Sequence, residues 1–312
     1  MLLSTVLPII SHVIVPAAFI VTLWRSEPVS RIAWMARVLA FGGFILFLFF
    51  AGAAWSWVSY YLRYVFLVLF IAAAIISWRN VWDESLPWWR RPPSMGEWLN
   101  FGVEALLGAY FLFAIAGALS GLSYGDARAA QLTFPLDDGV YIAGHGGDSP
   151  ALNYHNVNEA QQYALDILAL NAAGVRALGV YPTDLDRYVA FGRDIYSPCA
   201  GEIIEVVDDL PDLQPPEMDS DNLAGNHVVV RCAEQEVDVA LAHMMAGSVT
   251  ATEGQTVEAG EALGRLGNSG NTSEPHLHIH AVRTGSGSML DGQGVPILFD
   301  GRFLVRNSLV FQ

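Results

Sequence analysis

Hydrophobic and polar positions divide the chain into two patterns. Leu3–Trp24 carries no charged residue, and a helix of that length crosses a hydrocarbon core of about 30 Å. Three further uncharged runs follow: Val38–Val58, Tyr64–Trp78 and Ala105–Gly125. Arg63 flanks the third, where its stem could snorkel and extend it. Glu104 stands just outside the fourth. These runs predict about four membrane helices, over 3–24, 38–58, 60–78 and 104–124. Tyr and Trp gather at their ends (Trp55, Trp57, Tyr60, Tyr61, Trp78, Trp82, Trp88, Trp89, Trp98), as an interfacial belt would. Pro8 and Pro16 fall in the first run, and membrane helices tolerate proline. His12 lies there too; a neutral imidazole bonded to a neighbouring helix is preferred over a functional group. No basic segment precedes this run and no small-residue cleavage site clearly follows it, so a retained helix is expected rather than a signal peptide.

From Asp126 onward the period shortens. Apolar alternations broken by Gly, Pro and Asp predict strands over Ala200–Val207, Asn226–Arg231, Val237–His243 and Gln255–Leu266. The Ala- and Leu-rich stretch Ala164–Ala177 is the best helix candidate, even if it begins as a strand. Asp208–Gly225 is a polar loop rich in Asp and Pro, either a solvated excursion or a lip facing a substrate. The expected organisation is a transmembrane α-helical bundle over 1–125 and a mainly-β soluble domain over 126–312.

Composition sharpens this division. Over the whole chain 53% of residues are apolar and 15% charged. Residues 1–125 hold seven Arg against five Asp or Glu, whereas 126–312 hold nine against twenty-six. An acidic second half excludes nucleic acid as a partner, since phosphate binding needs a basic surface. Lys is absent, which carries no functional meaning here. Arg25, Arg31 and Arg37 occupy the first connection and Arg79, Arg90 and Arg91 the third, against Arg63 alone in the second. The positive-inside rule then places both termini and the soluble half outside the cytoplasm, in contact with membrane lipid only through the bundle. Cys199 and Cys232 are too few for a disulfide scaffold and leave one bridge or two buried thiols open.

The chemistry concentrates in Pro275–His280, PHLHIH. On a strand His276, His278 and His280 share one face. A lone His is usually structural, but three on one face point to a metal, and imidazole with a carboxylate suits zinc. His243, Asp166 and His155 are further candidates. His145, in a Gly-rich loop, is expected to be solvated, and His227 to be structural.

The blocks SPCAGEI (Ser197–Ile203), GNHVVV (Gly225–Val230), ALAH (Ala240–His243) and Gly247–His280, in this order, resemble the lysostaphin-type zinc endopeptidases, many of which cut peptide bridges in peptidoglycan. The resemblance covers about 190–283 and not the membrane half. It implies an antiparallel β-sandwich of the duplicated hybrid-motif type. It implies that His278 and Asp166 are zinc ligands, and that His276 and His243 are the catalytic histidines. The family's upstream His-x-x-x-Asp ligand pair puts Gln162 where a His is expected. A subgroup with a similar Asn-Tyr-His block suggests that His155 replaces it, leaving Gln162 beside the site. His280 either orients a neighbouring ligand or lies beyond the site. Proximity of the strands around Cys199 and Cys232 in the resemblance favours a bridge between them.

The expected activity is zinc-assisted hydrolysis of peptide bonds in peptidoglycan or another extracytoplasmic peptide, by a multi-pass protein of the cytoplasmic membrane whose soluble domain faces the periplasm or exterior. Two other readings remain: a degenerate module that binds wall or activates another hydrolase, favoured by Gln162, and a membrane sensor or scaffold.

Overall fold

A computed structural model describes residues 2–82 and 86–312. It divides into two compact units, 1–119 and 120–312.

The first unit is helical. Its elements are α1 (Leu2–Ile9), a π-helical turn (Ile10–Ile14), α2 (Val15–Trp24), α3 (Arg31–Ala51), the short α4 (Trp55–Val58), α5 (Leu62–Val81) and α6 (Met95–Ser120). The π turn lies just ahead of Pro16, where an α ladder would clash with the ring. His12 is buried and accepts a long hydrogen bond from Ala54 N (3.4 Å). Four segments are long and apolar enough to cross a membrane: Val6–Trp24, Arg31–Ala51, Leu62–Arg79 and Met95–Ser120. Outward positions are apolar; Leu106 is 73% and Phe113 80% exposed, as suits a lipid-facing surface. Gly42 admits α5 closely, since a Cβ there would lie 2.6 Å from the Phe70 ring.

Two helices begin earlier than the uncharged runs suggest, because charged residues are compensated inside the bundle. Arg37 on α3 donates to Glu104 on α6 at 2.7 Å. Arg63 does not snorkel. It is buried, with its guanidinium 4.1 Å from the Phe49 ring centroid and 5.0 Å from that of Tyr60.

The second unit is mostly β. Its strands are β1 (Ala130–Leu132), β2 (Val140–His145), β3 (Leu165–Leu170), β4 (Asp194–Tyr196), β5 (Gly201–Val207), β6 (Asn226–Cys232), β7 (Val237–Met244), β8 (Thr256–Val257), β9 (Ala262–Arg265), β10 (Leu277–Arg283), β11 (Gly294–Val295), β12 (Ile297–Phe299), β13 (Arg302–Phe303) and β14 (Leu309–Phe311). Among the described residues the main sheet has nine strands, ordered β14-β2-β3-β10-β7-β6-β5-β8, with β11 beside β10. Its pairings are antiparallel, and β1 pairs β12 in parallel in a smaller sheet.

The helix candidate Ala164–Ala177 begins as a strand, as its reading allowed: β3 runs over Leu165–Leu170, and turns rather than a helix follow. All six β3 residues are buried, so both faces are covered and, Asp166 apart, apolar, and the period-2 signature is lost. Its central position, between β2 and β10, places Asp166 in the middle of the sheet. Cys199 and Cys232 form a disulfide, with Cα atoms 5.9 Å apart.

Candidate metal centre and its cleft

The sheet register assembles the site. Asp166 on β3 lies directly opposite His278 on β10, and on its other side opposite His145 on β2. Directly opposed residues share a face, so these side chains project together. His278 Nδ1 lies 2.9 Å from Asp166 Oδ1. The third member comes from a loop. His155 sits in a 3-10 turn (Tyr154–Val157) capped by Asn153, and its Nε2 lies 3.1 Å from both Asp166 oxygens. Donor atoms of His155, Asp166 and His278 fall within 4.8 Å of one another, and all three residues are buried.

Asn153 delivers that loop. Fully buried, it donates through Nδ2 to the carbonyls of Gly147, Gln162 and Ala164 (3.2, 3.1 and 3.0 Å), and its Oδ1 accepts from His155 N (3.2 Å). Gln162 does not touch His155 through its side chain; its amide donates to Asp148 at 2.8 Å. The adjacent Gln161, which sequence reasoning missed, accepts from His155 Nδ1 at 3.1 Å.

Tautomers follow from the partners. His280 donates Nε2–H to the Met289 carbonyl (2.7 Å), since a carbonyl only accepts. In neutral His280, Nδ1 is then an acceptor, so His278 Nε2 supplies the proton between them (3.0 Å). His278 Nδ1 is left with a lone pair facing the carboxylate. Burial holds His278 below its ordinary value, which keeps it neutral. On the same logic Gln161 Oε1 takes the Nδ1 proton of His155 and leaves Nε2 with its lone pair facing Asp166. Two imidazole lone pairs and a carboxylate converge in a buried space, a His, His, Asp donor set that could hold a cation and whose chemistry suits zinc.

Two further histidines face this cluster. His243 ends β7 with φ of 63°, a conformation uncommon for a side-chain-bearing residue. Its ring centroid lies 4.9 Å from that of His276 and 5.9 Å from that of His278. Nδ1–H donates to Ser269 O (2.9 Å), leaving an acceptor at Nε2. Burial, and then the neighbouring His276 and His278, push its pKa well below the ordinary histidine value. His276 behaves oppositely. Burial alone would lower it, but Asp166, 3.5 Å from Nε2, lifts it above the ordinary value. Its Nδ1–H donates to Glu274 O at 2.8 Å.

Glu274 is in turn ion-paired with the buried Arg176. Gly225 closes the far wall: φ is 60°, and a Cβ would lie 2.2 Å from Ser269 O. The preceding loop is partly a cavity wall, since Leu223 and Ala224 line the space in front of the histidines. That space is about 240 Å³. Tyr154, Asn158, Gln161, Ala242, Asn271 and Leu290 also line it.

His227 lies apart, bonded to Gly225 O (2.7 Å) and Glu205 (3.3 Å), a structural role. His145 departs from expectation. It is not a solvated loop residue but a half-buried strand end whose ring lies 6.1 Å from that of His155. Arg306, which the sequence did not single out, reaches it from the C-terminal segment.

Residues 184–290 match the model of Peptidase family M23. This part of the chain is an M23 domain. It holds His243, His276, His278 and His280, whereas His155 and Asp166 come from the preceding segment. No curated protein matches the chain. Among solved structures, a protein of Pseudomonas aeruginosa assigned to peptidase M23 is 18% identical, over 56% of this chain and 54% of that one, with a TM-score of 0.28. The catalytic domain of lysostaphin from Staphylococcus simulans is 20% identical, over 38% and 84%, with a TM-score of 0.25. A zinc-containing peptidase of Vibrio cholerae is 20% identical, over 38% and 46%, with a TM-score of 0.23. The chain spans about half the length of the first of these proteins.

Proposed function

We propose that the chain is a membrane-anchored zinc metalloendopeptidase that hydrolyses peptide bonds, with peptidoglycan stem or cross-link peptides as substrate. The M23 match supports a peptidase acting on such material. The observation that carries the zinc reading is the convergence of His155 Nε2, His278 Nδ1 and Asp166 in unprotonated form. When bound, the metal would polarise a carbonyl and acidify water.

The chain's own residues do the rest. His243, neutral and with Nε2 free to accept, takes a proton from the attacking water. The hydroxyl adds to the carbonyl carbon. His276, biased toward its protonated form by Asp166, donates first to the developing oxyanion and then to the departing amine as the C–N bond breaks. His280 is a positioning residue that fixes the His278 tautomer, and Gln161 does the same for His155. Beside its histidines and Tyr154, the described cleft lining bears Ala, Leu and side-chain amide groups and no Asp, Glu or Arg, which favours an uncharged stretch of peptide at the centre.

Four apolar helices suit a multi-pass anchor in the cytoplasmic membrane. The arginine distribution and the Cys199–Cys232 disulfide favour an extracytoplasmic position for the M23 domain. A sandwich of the duplicated hybrid type is the reading of the sheet that accompanies this assignment.

The test is release of soluble fragments from purified peptidoglycan by the full chain in detergent, supplemented with zinc. New amine termini in the wild type, lost in His276→Ala that still holds zinc, are expected. Zinc-loaded wild type without any release would contradict the hydrolase reading and leave a wall-binding module.

A further inference from the structure

His145 is the site histidine for which the M23 reading has no use. Its Nδ1 receives two N–H groups: Arg306 Nη2 at 2.6 Å and, more weakly, Tyr154 N at 3.5 Å. A guanidinium has donors only, so Nδ1 must be the acceptor. The proton of the neutral ring is therefore on Nε2. Among the described residues no hydrogen bond forms at Nε2, and the residue is half-buried rather than sealed. The outcome is an N–H donor of fixed tautomer on the sheet face that carries Asp166, one strand away from the metal cluster.

Neither the strand nor the loop rearranges easily around it. Arg306 is half-buried, and its backbone N donates to Gly146 O (3.1 Å). The Tyr154 ring packs edge-on against His145 at 4.5 Å and lies tilted against His155 at 3.9 Å, so the donor and the loop that carries His155 share one aromatic support. A rigid, neutral donor costs no reorganisation when a carbonyl oxygen arrives, which is the property that electrostatic preorganisation requires.

Resting on the peptidase reading above, we propose that His145 is a catalytic residue whose Nε2–H donates to a carbonyl oxygen of the bound peptide beside the metal centre, with Arg306 as the positioning residue that sets its tautomer.

The experiment compares His145→Gln with His145→Met in the full chain, zinc-loaded, on an uncharged fluorescence-quenched peptide of glycine and alanine. Gln places an amide N–H near the Nε2 position; Met fills similar space without a donor. H145M is expected to lower kcat/KM about 100-fold, the usual scale for one lost donor, while H145Q stays within about 10-fold of wild type. Both should keep wild-type zinc content and melting temperature. A phosphinic analogue of the peptide should bind H145M at least 10-fold more weakly than wild type. Equal kcat/KM in H145M and wild type overturns the inference and leaves the peptidase reading intact. Loss of zinc or folding in H145M also overturns it, by making His145 structural. A wild type that holds zinc but cleaves nothing overturns both.

Discussion

At the residue scale the site depends on which nitrogen of each imidazole carries its proton. The relay Met289 O, His280, His278 sets that choice for one proposed zinc ligand, and Gln161 sets it for the other, His155. Replacing His280 with Phe removes the acceptor for His278 Nε2–H and frees the ring to present the wrong nitrogen. Zinc affinity should fall about 10–100-fold, the range for loss of such a supporting partner, as read by competition with a chromogenic chelator; unchanged affinity would remove His280 from the account. The Arg176–Glu274 pair acts on the catalytic side, since the Glu274 carbonyl holds His276 Nδ1. Arg176→Met strands a buried carboxylate and should cost about 3–5 kcal/mol in urea unfolding; a loss below 1 kcal/mol would contradict this. His276, His278, His243 and Asp166 were legible because their spacing is a motif. His155 was legible only through the Asn-Tyr-His block, and Gln161, His145, Arg306 and Asn153 were not. Their roles arise from a loop fold and a C-terminal crossing that no local spacing encodes.

At the element scale, charge and burial decide where reading by pattern fails. Strands β5, β6 and β7 were expected near their observed bounds because their alternation or apolar run is bracketed by turn residues. The stretch Ala164–Ala177 reads as a helix candidate that could begin as a strand; it does begin as β3, and the helix does not follow, because a fully buried strand shows no alternation to mark its end. The early starts of α3 and α6 were missed because an ion pair joins them: a run of uncharged residues ends at Arg37 or Glu104, whereas the helices continue through both. Glu104→Leu should therefore destabilise the bundle by leaving Arg37 without its carboxylate, and Arg37→Leu in the same chain should restore part of the loss. Thermal unfolding in detergent reads this. A double variant less stable than Glu104→Leu alone would show that the pair is not coupled as described.

At the scale of the whole molecule, the buried histidines tie stability to pH. His145 and His280 are pushed down to about 3, and His243 also lies below its ordinary value, all three led by burial. The unfolded chain protonates these rings near pH 6.5, while the folded one does not until far lower pH. The unfolded state thus binds more protons across that window, and stability must fall as pH drops below about 6.5. His276, raised by Asp166 against the effect of burial, works in the opposite sense: its contribution is full below pH 6.5 and lost as pH rises through its folded value. His278 is lowered by burial as well, and with four lowered groups against one raised, the chelator-treated protein should lose its M23-domain transition progressively between pH 6.5 and 4. A transition temperature flat over that range would contradict the buried neutral assignment. The extracytoplasmic placement is tested separately: alkylation of membranes under denaturing, non-reducing conditions should leave Cys199 and Cys232 unlabelled.

The most direct test of the central claim is the zinc content of the purified full chain beside His155→Ala and His278→Ala, after saturation and desalting. About one zinc per chain in the wild type, lost in both variants, is the predicted result for a centre built from His155, Asp166 and His278. Full zinc retention in His155→Ala, or none in the wild type, would contradict it.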